Sequence, residues 1–152
     1  MTIEKAINQK HFANPHQKMM VNLAYTHSYL ASIINNDLKP YGISAEQFNV
    51  LRILRGVHPD FLSVWEITSR MINKMSNASR LVEKLRKKEL VERKISTEDK
   101  RLVDITITKK GLKLLKQIDE NISDMQNIFG HLSVEEVENV NSILDKLRAP
   151  NE

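Results

Sequence analysis

Residues 76–111 read SNASRLVEKLRKKELVERKISTEDKRLVDITITKKG, and the spacing of apolar positions changes twice within that stretch. On a wheel of 100° per residue, Ala78, Leu81, Val82 and Leu85 gather on one side and Ser76, Arg80, Glu83, Lys84 and Lys87 on the other. This pattern predicts a helix from about Met75 to Lys88, with one face for a core and one polar, mostly basic face that begins with small side chains. The period then falls to two. LVERKI and LVDITIT alternate apolar with polar residues and are separated by STEDKR, which predicts antiparallel strands joined by a hairpin too long for a two-residue turn. Thr108 is placed to cap a return to helical spacing.

Working upstream, Asn14, Pro15 and Gln17 form a helix start, followed by Met19, Met20, Leu23, Ala24, Leu30, Ile34 and Leu38 until Pro40 and Gly42 stop it. Ser44 with Gln47 opens a second helix carrying Phe48, Leu51, Ile53 and Leu54 to Gly56, and His58-Pro59-Asp60 is a turn. Phe61-Leu62 fits a brief strand, and Ser63 with Glu66 opens a short third helix carrying Val64, Ile67 and Met71. Ile72-Asn73-Lys74 interrupts, and Asn73 suits a cap or a left-handed residue. Downstream, Leu112, Leu115, Ile118, Ile122, Met125 and Phe129 mark a long amphipathic helix. After Gly130, Ser133 with Glu136 opens a last helix carrying Val137, Val140, Ile143, Leu144 and Leu147. A short helix, a turn, a second helix and a charged hairpin make a winged helix-turn-helix with a two-stranded β wing, inside a mainly α chain.

The 152 residues are expected to form a single domain, 1–152. The chain has no cysteine, which removes disulfides, thiolate metal sites, thiol nucleophiles and thiol-based sensing. There is no Gly-rich phosphate loop, Ser/His/Asp order or acid/base carboxylate pair, so no enzyme is expected. His11, His16, His27, His58 and His131 lack metal-ligand spacing, and neither a metal nor a cofactor is expected. No apolar run approaches the length of a spanning helix, and MTIEKAINQKHFANP lacks the apolar core of a signal peptide. The expectation is a cytoplasmic protein with no membrane partner. Charge is concentrated: residues 61–110 hold thirteen Lys/Arg against seven Asp/Glu, whereas the rest holds ten against twelve. A positive block on a near-neutral frame points to a polyanion, double-stranded DNA above all, against the alternative of a solvated lysine-rich face.

The candidate base-reading residues are Ser76, Asn77, Ser79, Arg80 and Lys84, because small side chains at a helix start let it approach a major groove. A guanidinium one turn in can meet guanine O6 and N7 together. Lys84, Lys87 and Lys88 suit phosphates, which position without selecting sequence. Arg80–Glu83 and Glu83–Lys87 are expected as helical ion pairs. Lys100 and Arg101 at the hairpin tip suit a minor groove, with Asp99 pairing with Arg101 and orienting it. Tyr25, His27, Phe48 and Trp65 are candidates to line an effector pocket, the alternative being ordinary core packing. A different functional class, a winged-helix module that binds an acidic protein or serves structurally, would use the same basic face without selecting sequence.

The stretch from Ser76 to Gly111 resembles the recognition helix and wing of the MarR family of bacterial transcription regulators. It includes that family's Asp-x-Arg signature at Asp99 and Arg101 and its Leu-Thr-x-x-Gly ending, here Ile107-Thr108-Lys109-Lys110-Gly111. The helix order agrees from about Asn14. Ile107 departs from the usual Leu, and RGVHPDFLSVW is longer than usual. The resemblance implies an obligate homodimer, with dimerisation helices at 14–39 and 109–148 and a DNA-binding region at 44–108. It also implies a repressor that binds an inverted-repeat operator and is released when a small-molecule effector or oxidant alters the separation of the two wings. Helices 15–38, 109–129 and 134–148 also carry more apolar positions than a small wing module covers, which calls for a partner surface.

Overall fold

The computed structural model describes residues 1–95, 103–121 and 128–149. Its elements are α1 (Ile3–Ala6), α2 (Pro15–Leu38), α3 (Ala45–Val57), α4 (Val64–Arg70), α5 (Ala78–Lys87), β1 (Val91–Ile95), β2 (Val103–Ile107), α6 (Lys109–Asn121) and α7 (Val134–Arg148). The chain divides into two compact units, Met1–Leu115 and Lys116–Glu152, with the division inside α6.

In the first unit, local hydrogen bonding sets the helix boundaries. Ser44 and Ser63 each accept from the backbone N–H three residues on, and Gln47 and Glu66 answer by accepting from the cap N–H, so two orphan donors are satisfied at each start. The start of α2 differs in detail. Asn14 accepts from Gln17 N–H at 2.9 Å, but Gln17 accepts from Ala13 N–H at 2.7 Å rather than from the cap residue itself. The helix gives way to one 3₁₀ turn, Lys39–Tyr41, closed by Gly42 at φ 65°, a left-handed conformation that costs glycine little. The short α1 was not expected from sequence. Its single buried apolar residue, Ile3, shows no periodicity, and Glu4 ties it to Lys18 of α2 at 2.7 Å.

The core of this unit is built from Leu38, Val50, Leu51, Leu54, Ile67, Leu85, Ile105 and Leu115, each fully enclosed. The wing strands pair antiparallel from Val91↔Ile107 to Ile95↔Val103. Val91 is buried whereas Ile95, on the same face, is 69% exposed, so the hairpin leaves the core within one strand length. Leu62 adds the expected brief strand as an isolated bridge, exchanging hydrogen bonds with Ile105 at 3.0 and 2.9 Å. This couples the turn before α4 to the root of the wing.

The end of α5 is closed by a Schellman-type arrangement, in which Leu90 N–H donates to Leu85 O at 3.0 Å and Glu89 N–H to Arg86 O at 2.8 Å. Its left-handed residue is Glu89, at φ 62°. A side chain in that region costs about 1–2 kcal/mol, while the Glu89–Lys110 pair at 2.7 Å is solvent-exposed and screened, and returns little. Glu89→Gly is therefore expected to stabilise the fold by about 0.5–1 kcal/mol in urea unfolding, after the extra chain entropy of glycine is allowed for. A loss of stability would contradict strain at this position.

In the second unit, Ser133 and Glu136 make the expected capping box at the start of α7. No residue of α7 is buried; Val140, Ile143 and Leu147 are exposed in the single chain, and Val137 and Leu144 are half-buried.

Candidate nucleic-acid interface

The base-reading candidates sit where α5 begins, and a hydrogen-bonded turn sets that beginning. Met71 is buried and ends α4. Ile72 N–H then donates to Asn49 Oδ1 of α3 at 3.0 Å, Met75 N–H to Asn73 Oδ1 at 3.1 Å, and Ser76 N–H to Asn73 O at 3.2 Å. Asn73 thus acts through its side chain, as an Asx turn, and not by adopting a left-handed backbone. Asn77 Oδ1 accepts from Arg80 N–H at 2.9 Å and caps the helix. The helix consequently starts at Ala78, three residues later than its apolar period predicts, since the cap residue has non-helical backbone, φ -77° and ψ 89°. Capping uses the Asn77 oxygen and leaves its amide NH₂ as a donor.

Ser76, Asn77, Arg80 and Lys84 line one groove of about 270 Å³, completed by Leu81 and by Glu46 of α3. Ser79 and Lys87 are exposed on α5 outside that lining. Ala78, Val82 and Leu85 are buried, as the helical wheel requires, and Leu81 is half-buried at the groove. The expected ion pairs are corrected. Glu83 takes neither Arg80 nor Lys87 but Arg86, whose Nε and Nη2 both donate to the carboxylate at 2.9 Å. A two-pronged guanidinium outcompetes a lysine, and an acid preceding its base along the helix is the favoured order, which Arg80 before Glu83 reverses. The hydrogen bonds from Arg86 hold the Glu83 carboxyl below the usual carboxylate range. Arg80 and Lys84 have no ion-pair partner among the described residues. Lys88 is also corrected: its ammonium donates to Gly42 O and lies 3.5 Å from Gln47 Oε1, so it is engaged with the start of α3 instead of being offered to a phosphate.

Sequence reasoning missed a second, wider groove of about 770 Å³ bounded by the end of α5, β1 and the start of α6. Its cations are Arg86, Arg93, Lys94, Lys109 and Lys110, with Glu89 and Glu92 among them. The central charge block was the signal for it. Arg86, Lys94 and Lys110 are paired with Glu83, Glu92 and Glu89, so much of that charge is neutralised in place. Asp99, Lys100 and Arg101 lie in 96–102, outside the described residues; the flanking register ends at Ile95 and Val103.

The four effector-pocket candidates have unlike surroundings. Tyr25 and His27 are exposed on α2, Trp65 is 77% exposed on α4, and Phe48 is buried on α3 with the Arg52 guanidinium 5.7 Å from its ring centre. None of them lines either groove described above. Among the described residues no group of three or more His, Asp or Glu is arranged to hold a metal, and no helix is long and apolar enough to cross a membrane.

Residues 43–103 match the model of the MarR family. The chain is 27% identical over 131 residues to the HTH-type transcriptional regulator MhqR of Bacillus subtilis, covering 86% of this chain and 89% of that protein. It is 25% identical to the transcriptional repressor MprA of Escherichia coli K12, covering 91% and 80%. Among solved structures, a mutant of MarR from E. coli in complex with operator DNA superposes with a TM-score of 0.79 over 90% or more of both chains, 91% of this one and 99% of the other, at 22% identity. That last likeness concerns the fold.

Proposed function

Because the chain belongs to the MarR family, we propose that it is a sequence-specific DNA-binding transcriptional regulator, a homodimeric repressor that acts in the cytoplasm on an inverted-repeat operator and performs no catalysis. The observation that carries this reading is the first groove. It gathers Ser76, Asn77, Arg80 and Lys84 at the capped start of one helix and leaves the Arg80 guanidinium without an ion-pair partner among the described residues, although Glu46 also lines the groove.

The physical roles follow from position. Arg80, in the first turn of α5, meets a guanine edge with two donors. Ser76, the free amide of Asn77 and Ser79 sit at the end of the helix that approaches bases and phosphates, where backbone N–H groups and the helix dipole favour anions. Lys84 and Lys87, farther along, hold phosphates. We assign Lys100 and Arg101 to the neighbouring minor groove, with Asp99 orienting Arg101. Residues 44–108 form the DNA-binding part, and 14–39 and 109–148 the dimerisation helices. The apolar face of α2, with Met20 and Tyr29 exposed, and that of α7, with Ile143 and Leu147 exposed, give each half of the dimer a surface to cover. A small-molecule effector is part of the proposal, with Tyr25, His27, Phe48 and Trp65 as its candidate contacts.

Binding measurements on the operator selected from random DNA test the reading. Arg80→Ala is expected to lower discrimination between operator and random duplex by about 1–3 kcal/mol. Lys87→Ala is expected to weaken both and reduce the salt slope by about one. Equal losses on both duplexes for Arg80→Ala would remove base reading by that side chain. Wild-type protein with no preference for any duplex would favour instead a winged-helix module that binds an acidic protein.

A further inference from the structure

The turn that positions α5 carries two large apolar side chains in water. Ile72 is 89% exposed and Met75 is 93% exposed, although the backbone between α4 and α5 is fixed by hydrogen bonds from Ile72, Met75 and Ser76. A single exposed apolar residue is ordinary. Two within four residues, on a tethered turn that runs directly into the groove of Ser76, Asn77, Arg80 and Lys84, form an apolar edge on a polar and basic reading surface. A major groove offers one apolar feature to such an edge, the C5-methyl group of thymine. Methionine, unbranched and polarizable, adapts readily to a small apolar target.

We infer that Met75, flanked by Ile72, packs on thymine methyl groups and makes the half-site prefer thymine next to the base that Arg80 reads. This inference rests on the DNA-binding reading above and adds a specificity contact that involves no hydrogen bond. The basic cluster supplies attraction to any duplex, and Arg80 supplies a guanine contact. The Met75 edge discriminates between bases by shape and methyl content alone, so its contribution survives at salt concentrations that screen the lysines.

Replacing thymine by deoxyuridine, one position at a time in the selected operator, removes only the C5-methyl and leaves every hydrogen-bonding group in place. Burying a methyl-sized apolar group corresponds to about fourfold in affinity. The expected result is a loss of about fourfold for the wild-type protein at one or two positions per half-site, with the salt slope unchanged. Met75→Ala is expected to bind the thymine operator about fourfold more weakly per half-site, since both subunits lose the contact, and to become indifferent to deoxyuridine at one of those positions. Ile72→Ala does the same at the neighbouring one. Both side chains are exposed, so unchanged helical circular dichroism is expected and checks that each variant is folded. Wild-type indifference to deoxyuridine at every position, with the preference for the operator intact, would overturn the methyl contact and leave the regulator reading standing. Full retention of deoxyuridine sensitivity in both variants would overturn the assignment to this turn. Failure of the wild-type protein to prefer any operator would remove the regulator reading itself.

Discussion

Gly111→Ala is expected to destabilise the protein by about 2–3 kcal/mol, measured by urea unfolding, because the backbone at that point has no room for a methyl group. A Cβ at residue 111 would overlap the carbonyl oxygen of Leu90 and stand 2.7 Å from Cγ1 of Ile107. A side chain can turn aside at small cost, but the Leu90 carbonyl is backbone and already accepts from Thr108 N–H at 3.1 Å. The neighbouring threonine shows what the close approach accomplishes. Thr108 Oγ1 accepts from Gly111 N–H at 3.0 Å, capping α6, and donates to the carbonyl of Glu89 at 2.8 Å. The Thr-x-x-Gly sequence therefore clamps the start of α6 to the chain leaving α5, at the root of the wing. With alanine there, Leu90 and the hairpin root must shift relative to α5, the helix proposed to read the operator, so operator affinity is expected to fall together with stability. An unchanged unfolding midpoint would show that the clamp is looser than these distances imply.

The features legible in the sequence were those decided within a few residues. The capping boxes at Ser44, Ser63 and Ser133 form as read, because a short hydroxyl at the cap and a Glu or Gln three residues on leave few other ways to satisfy the first N–H groups. The inward stripe of α5 and the pairing of the wing strands follow equally from period. Competition and distance were not legible. Glu83 had three cations within reach along the helix, and only the geometry of the fork selects Arg86. Lys88 looked like another member of the basic face until Gly42 and Gln47, more than forty residues away, were placed against it. The two grooves are of the same kind, since each joins segments whose separation in sequence hides their adjacency: Glu46 with Arg80, and Arg86 with Lys109. Leu81, on the core side of the wheel, instead lines the groove at the start of α5 and is half-buried, because a position at the edge of a helical stripe is settled by its neighbours and not by its angle on the wheel.

Replacing Ile143 and Leu147 together by Glu is expected to produce a folded monomer that binds the operator about a hundredfold or more weakly than wild type. These two residues and Val140 recur at helical spacing on α7, and each is half exposed in the single chain, Ile143 and Leu147 at 53% and Val140 at 50%. Because none of them is enclosed by the chain's own core, charging them costs little in the isolated subunit. In a two-fold dimer the same carboxylates would be buried against their own copies, where like charges and lost hydration oppose association strongly. The DNA effect follows from linkage. A dimer that engages one half-site presents its second reading helix to the other at high effective concentration, and breaking the dimer forfeits that gain of about 10²–10⁴. Sedimentation and circular dichroism read the two steps separately: loss of mass with helix content intact supports a dimer surface on α7, and loss of helix content would place these residues in the fold itself. Met20→Glu on α2, where Met20 is 66% exposed, provides an independent check, since a dimer that covers both helices must weaken with either substitution. A wild-type chain that sediments as a monomer while still selecting an operator would separate DNA reading from dimerisation and reduce its target to a single half-site.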